Sequence, residues 1–147
     1  MVGGPRVALA AIVCLGFTLD GSTIAAQHMN AKDAACRDAG TTLDAGNCLS
    51  AALASRDREL GVLLVQVRAA VGGDELRLLN RAQMAWVGYR RLSCEAEYEM
   101  YGGGTGGPIT RLACLEALTR DRIQQLHAAY DSRVEDYRWD REHPSVR

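Results

Sequence analysis

The stretch AQMAWVGYRRLSCEAEYEMYGGGTGG, residues 82–107, decides the fold. Within it Gln83, Trp86, Arg90 and Cys94 recur at intervals of three and four, which places them on one face of a helix. The stripe reaches back through Leu79 and Leu76, with Ala82, Tyr89 and Ser93 beside it. It stops near Tyr101, because residues 102–107 contain five glycines in six positions, and glycine loses too much backbone freedom to hold a helix there. These residues read as a mobile connection. Pro108 then restarts the chain where a helix tolerates proline, in its first turn.

The same periodicity appears on both sides. Upstream, Leu53, Asp57, Leu60, Leu64, Val67 and Val71 alternate spacings of four and three on a single stripe that ends at Gly72-Gly73. Asp74 and Glu75 follow, suited to the positive N-terminus of the next helix. Downstream, Leu112, Leu115, Thr119, Arg122, Leu126 and Ala129 form a third stripe, on a helix that runs on towards Tyr137. Short connections between long helices favour antiparallel neighbours. The fold class expected is all-α: a three-helix antiparallel up-down-up bundle with a disulfide-tied N-terminal arm over residues 27–45. A polar tail covers residues 138–147, beginning around Trp139.

The first 26 residues read as a separate segment. Arg6, an apolar run over residues 7–19 and the small-residue stretch Ser22-Thr23-Ile24-Ala25-Ala26 make the three-part pattern of a secretory signal peptide, with cleavage after Ala25 or Ala26. The run is shorter than the roughly 20 apolar residues of a membrane span. Cys14 lies inside it, preceded by Val13 where a lipid-modified cysteine would have a small residue. Removing the leader leaves Cys36, Cys48, Cys94 and Cys114, which in an exported chain read as two disulfides. Four cysteines permit three connectivities; Cys36 with Cys48 and Cys94 with Cys114 is the preferred one, since each pair closes a short local loop. The rest of the chain, residues 27–137, forms one helical domain, and its length has room for one core.

Composition excludes several classes. The 17 basic residues are almost all Arg and are interleaved with 18 acidic ones, giving a net charge of −1 with no concentrated positive footprint for nucleic acid. No lysine-rich amphipathic face points to a membrane surface. Without C-x-x-C pairs or clustered His and Cys, neither a metal nor a cofactor is expected. Cys94 has no internal histidine beside it other than His127, far along the third helix, and Ser50, Ser55, Ser93 and Ser132 form no triad.

Three charged residues interrupt the apolar stripes: Asp57, Arg90 and Arg122. With hairpins turning near Gly72-Gly73 and Gly104, all three fall at one height in the bundle. A carboxylate flanked by two guanidinium groups is then expected as an internal ion network, because buried charges persist only when paired. Gln83, Trp86 and Arg90 share a face, so the tryptophan can lie against the arginine stem. Tyr89 is expected in the same packed scaffold.

These residues together resemble a known family. Asp57-x-Glu59-Leu60, the block Ala82-Gln83-x-Ala85-Trp86-x-x-Tyr89-Arg90-x-x-x-Cys94, a glycine-rich gap, Cys114, and Leu118-Thr119-x-x-Arg122-x-x-x-Leu126 resemble the lysozyme inhibitor LprI-like domain of exported bacterial helical proteins. The likeness spans residues 36–130. The chain departs from the family pattern at Gly61 and Leu63-Leu64, where asparagine and tyrosine are common. It departs again at Arg91, where an acidic residue often stands.

The resemblance implies a periplasmic or secreted protein without enzymatic chemistry that binds a protein partner, lysozyme in at least one member. Lysozymes are generally basic and use two carboxylates in a cleft. An inhibitor would therefore present a rigid surface with acidic groups that steer encounter. Glu95, Glu97 and Glu99 are the acidic candidates, and Thr105 in the glycine-rich loop is a group that could enter a narrow cleft. The alternative is an envelope interaction or scaffolding domain with a different protein or cell-wall partner. Oligomeric state is not legible.

Overall fold

A computed structural model describes residues 28–102 and 104–144 of the chain, so the expected leader and the last three residues lie outside the described part. Among the described residues there is a short 3-10 turn, His28–Asn30, and three helices: α1 over Thr42–Ala70, α2 over Gly73–Glu99 and α3 over Gly106–Glu142. The all-α class is as expected. Cross-helix side-chain pairs fix the directions. Between α1 and α2, Asp57 meets Arg90 and Arg68 meets Asn80; between α2 and α3, Glu75 meets Arg133 and Glu95 meets Arg111. Rising numbers on one helix meet falling numbers on the next, the order an up-down-up arrangement requires.

Each helix boundary has a local cause. Thr41 caps α1: its hydroxyl accepts from the Asp44 N–H at 3.1 Å and donates to the Asp44 carboxylate at 2.7 Å. This Thr-x-x-Asp cap starts the helix inside the segment read from sequence as irregular arm, so the arm is shorter than expected. At the other end, the Val71 N–H still bonds the Val67 carbonyl, and Gly73 takes a φ of +52°, a left-handed turn that glycine alone adopts cheaply. The first hairpin therefore closes over only Val71 and Gly72.

The third helix departs most from expectation. Its buried side includes Thr110, Ala113, Cys114, Ala117, Ile123 and Leu126, whereas Leu112 and Leu115 are half-buried and Ala129 is exposed. The helix also continues into the segment read as a tail, to Glu142. Trp139 stacks on His143 at 3.7 Å between centroids, and the Arg141 guanidinium lies 5.9 Å from the Tyr137 ring, local contacts that favour continuation. At about 1.5 Å per residue, α3 is about 55 Å long and is the element against which both other helices pack.

The apolar core occupies one half of the bundle, around the Gly72 hairpin. Leu60, Leu63, Leu64, Val67, Val71, Leu79, Ile123, Leu126 and Val134 form one cluster, with Ala70, Leu76, Trp86 and Tyr130 packed against it. Leu63 and Leu64, where the sequence departs from the family pattern, are part of this core. The other half holds both disulfides: Cys36 with Cys48 and Cys94 with Cys114. That is the preferred pairing of the three. Two crosslinks and a set of ion pairs there stand in place of a large apolar cluster.

Candidate functional site

The seam charges do not assemble as one carboxylate between two guanidinium groups. Arg90 Nη1 donates to Asp57 Oδ1 and to Thr119 Oγ1, both at 2.7 Å, and the Thr119 hydroxyl donates in turn to the Leu115 carbonyl at 2.6 Å. Arg122 Nε instead donates to the buried Gln83 amide oxygen at 3.1 Å, and its Nη1 to Gln125 at 3.3 Å. What links the two arginines is Trp86: the guanidinium carbons lie 5.0 Å and 6.0 Å from its ring centroid. Burial pulls the Arg122 guanidinium below its ordinary pKa, with Tyr130 opposing that shift. Asp57 remains 46% exposed, so this network reaches the rim at its carboxylate while Gln83 and Thr119 lie buried behind it. Tyr89 is not part of it; its side chain points to solvent.

A carboxylate flanked by two arginines does exist, at Glu116. This residue is 2% exposed, and its oxygens face Arg56 Nε at 3.3 Å and Arg120 Nη1 at 3.7 Å. Arg120 also ties down the arm: Nη1 donates to the Asp33 carbonyl at 2.6 Å and Nη2 meets its carboxylate at 3.0 Å. Arg56 donates to Glu59 at 2.8 Å, and that bond first, then Glu116, raises its pKa against the cost of burial. Apolar periodicity does not reveal this network, because Glu116 lies off the stripes. Its available signals were the i,i+4 pair Glu116 and Arg120 and the small neighbours Ala113 and Ala117.

The three acidic candidates at the end of α2 take different positions. Glu97 turns inward and bonds His28 Nδ1 at 2.5 Å, while its Oε2 is buried without a hydrogen-bond partner. Glu95 reaches Arg111 of α3 at 3.2 Å, partly exposed, and Glu99 is exposed. Glu97 is thus an anchor for the arm, a correction to its expected outward role. His28, Glu97 and Cys114 offer ligand atoms within 4.8 Å of one another, but the Cys114 sulfur is bonded to Cys94 and has no thiolate charge to offer a metal.

The end of the glycine-rich segment is helical, where a mobile connection was expected. Gly106 and Gly107 already belong to α3, and Gly107 is buried. A Cβ on Gly106 would come within 2.7 Å of the Tyr101 ring, and one on Gly107 within 3.0 Å of the Tyr98 ring. The lack of a side chain at these two glycines lets the Tyr98 and Tyr101 rings approach the start of α3 closely. Met29 completes the packing: the Thr110 hydroxyl lies 3.2 Å from its sulfur and 3.1 Å from the Gly106 carbonyl, the two acceptors within reach of the hydroxyl's one proton. Thr105 stays exposed at the helix entry, beside an open groove of about 560 Å³ lined by Met29, Gly40, Thr41, Thr105 and Ile109.

Fold and site together define a small, doubly disulfide-linked helical scaffold. The chain belongs to the lysozyme inhibitor LprI family, whose model matches residues 33–126. It is also 38% identical over 82 residues to the uncharacterized protein R02472 of Rhizobium meliloti (strain 1021), a match covering 56% of this chain and 55% of that one. The chain thus aligns with about half the length of this curated relative. No solved structure matches it. Among the described residues, no helix is long and apolar enough to cross a membrane.

Proposed function

We propose that the protein is exported by its N-terminal leader to the periplasm or cell exterior, and that it blocks lysozyme there by protein-protein binding, without catalysing a reaction. Membership of the lysozyme inhibitor family carries this reading. The arrangement at the crosslinked end supports it. Glu99, Glu95 and Thr105 sit on a platform held by the Cys94–Cys114 bond and by the seated glycines. Such a preorganised rim offers acidic groups to a basic enzyme with little ordering cost on binding. Of the three glutamates, Glu99 and Glu95 are the contact groups, and Glu97 fixes the arm behind them.

A titration of the purified mature protein against lysozyme activity tests the proposal. Inhibition is expected at stoichiometric to micromolar ratios, and the double substitution Glu95→Lys, Glu99→Lys is expected to weaken it about 10-fold or more, as reversal of steering and contact charges does. A folded, disulfide-bonded protein that leaves lysozyme activity unchanged at micromolar excess would refute it. That result would leave the envelope interaction domain as the reading to pursue.

A further inference from the structure

One face of α2 is apolar, regular and uncovered. Leu78, Ala82, Ala85, Tyr89, Leu92 and Ala96 follow spacings of four, three, four, three and four, the strict heptad seam of a coiled coil. All six are exposed, with Leu78 at 61%, Tyr89 at 57% and Leu92 at 59%. The seam is about 27 Å long at 1.5 Å per residue. It is separate from the stripe that packs inside the bundle, which runs through Leu79, Gln83, Trp86, Arg90 and Cys94.

From the order of side chains along this seam, we infer that a second copy of the chain docks on it, with the two α2 helices antiparallel about a two-fold axis. Centred between Ala85 and Tyr89, such a pairing sets Leu78 opposite Ala96, Ala82 opposite Leu92 and Ala85 opposite Tyr89. Every large side chain meets an alanine, which fills the interface evenly and lets the backbones approach. An in-register parallel pair would instead stack Leu on Leu, Tyr on Tyr and Ala on Ala, leaving three layers crowded and three empty. The flanking charges agree: Arg81, with Arg77 in contact with Asp74, lies beside the first half of the seam, and Glu99, with Glu95 in contact with Arg111, beside the second. Antiparallel pairing places Arg81 near the second copy's glutamate at position 95 and Arg77 near that at 99. Parallel pairing places like charges together. The opposed helix dipoles add to the same preference.

The seam is short and half alanine, so the dimer is weak, with a Kd of about 1–100 μM. It shares Glu95 and Glu99 with the proposed lysozyme contact but is read out by mass, so the two ideas fail separately. Sedimentation equilibrium of the mature protein is expected to show a monomer–dimer equilibrium that Tyr89→Glu weakens at least 10-fold, the side chain being exposed. Arg81→Glu should weaken it as well, and adding Glu95→Arg should restore it. For orientation, Gly88→Cys is the informative site, because it lies beside the two-fold axis and an added Cβ there meets nothing within 4 Å. A short bis-maleimide should link Gly88→Cys chains to one another and leave Ala96→Cys chains unlinked. A wild-type protein that stays monomeric to about 1 mM, where even a weak pair would show, overturns the proposal. So does efficient linking of Ala96→Cys, which would report a parallel pair.

Discussion

The two halves of the bundle are stabilised by different physics. Around the Gly72 hairpin, eight side chains from the three helices and Val71 of the hairpin form one apolar cluster. Around the start of α3, two disulfides, a buried glutamate with two arginines and a pair of glycines under tyrosine rings hold the arm and helix ends in place. Hydrophobic burial is non-directional and tolerates sliding; crosslinks and buried ion pairs fix geometry. The half that carries the proposed binding rim is the half built for geometry.

Substitutions can break this contrast in order of size. Leu126→Ala empties the centre of the apolar half and should lower global stability by about 3–4 kcal/mol, read as a fall in urea midpoint with the slope unchanged. Replacing both Cys94 and Cys114 by serine should cost about 3 kcal/mol, from the 20-residue separation they span. Hydrogen exchange should distinguish the two. Loss of the disulfide should speed exchange at the ends of α2 and α3 while amides around Val67 and Leu126 keep their protection; Leu126→Ala should speed both halves.

Smaller changes sharpen the comparison. Glu116→Gln keeps the shape but removes the charge between Arg56 and Arg120, and should cost about 1–2 kcal/mol. Asp57→Asn, at the half-exposed network, should cost under about 1 kcal/mol in the same denaturation assay. If the two carboxylates proved equal, the distinction between the internal and the rim network would be lost.

The sequence exposes the fold more fully than the site. Three-four spacing of Leu60, Leu64, Val67 and of Leu79, Gln83, Trp86 predicts α1 and α2 because burial on a helix leaves a regular trace. On α3 the trace blurs: small residues such as Ala113 and Ala117 mark the closest approach and carry little hydrophobic signal. Glu116 escapes for a related reason, since its burial depends on arginines from α1 and from its own helix rather than on a local pattern. Tyr89 misleads in the opposite direction. Its place in a recognisable block assigns it to the scaffold, yet it sits one helical face away from Arg90, on the open seam. The glycines of residues 102–107 read as freedom because composition alone does not reveal that Tyr98 and Tyr101 lie on Gly107 and Gly106.

The four cysteines among the described residues pair in sequence order, Cys36 with Cys48 and Cys94 with Cys114. For a chain threaded N-terminus first into an oxidising compartment, each partner is the next thiol to emerge. An oxidant that joins cysteines as they appear therefore produces the native connectivity, with no need for reshuffling afterwards. The first link can close before α2 has crossed. If the chain is exported as proposed, its biogenesis should depend on a thiol oxidase and be indifferent to a disulfide isomerase.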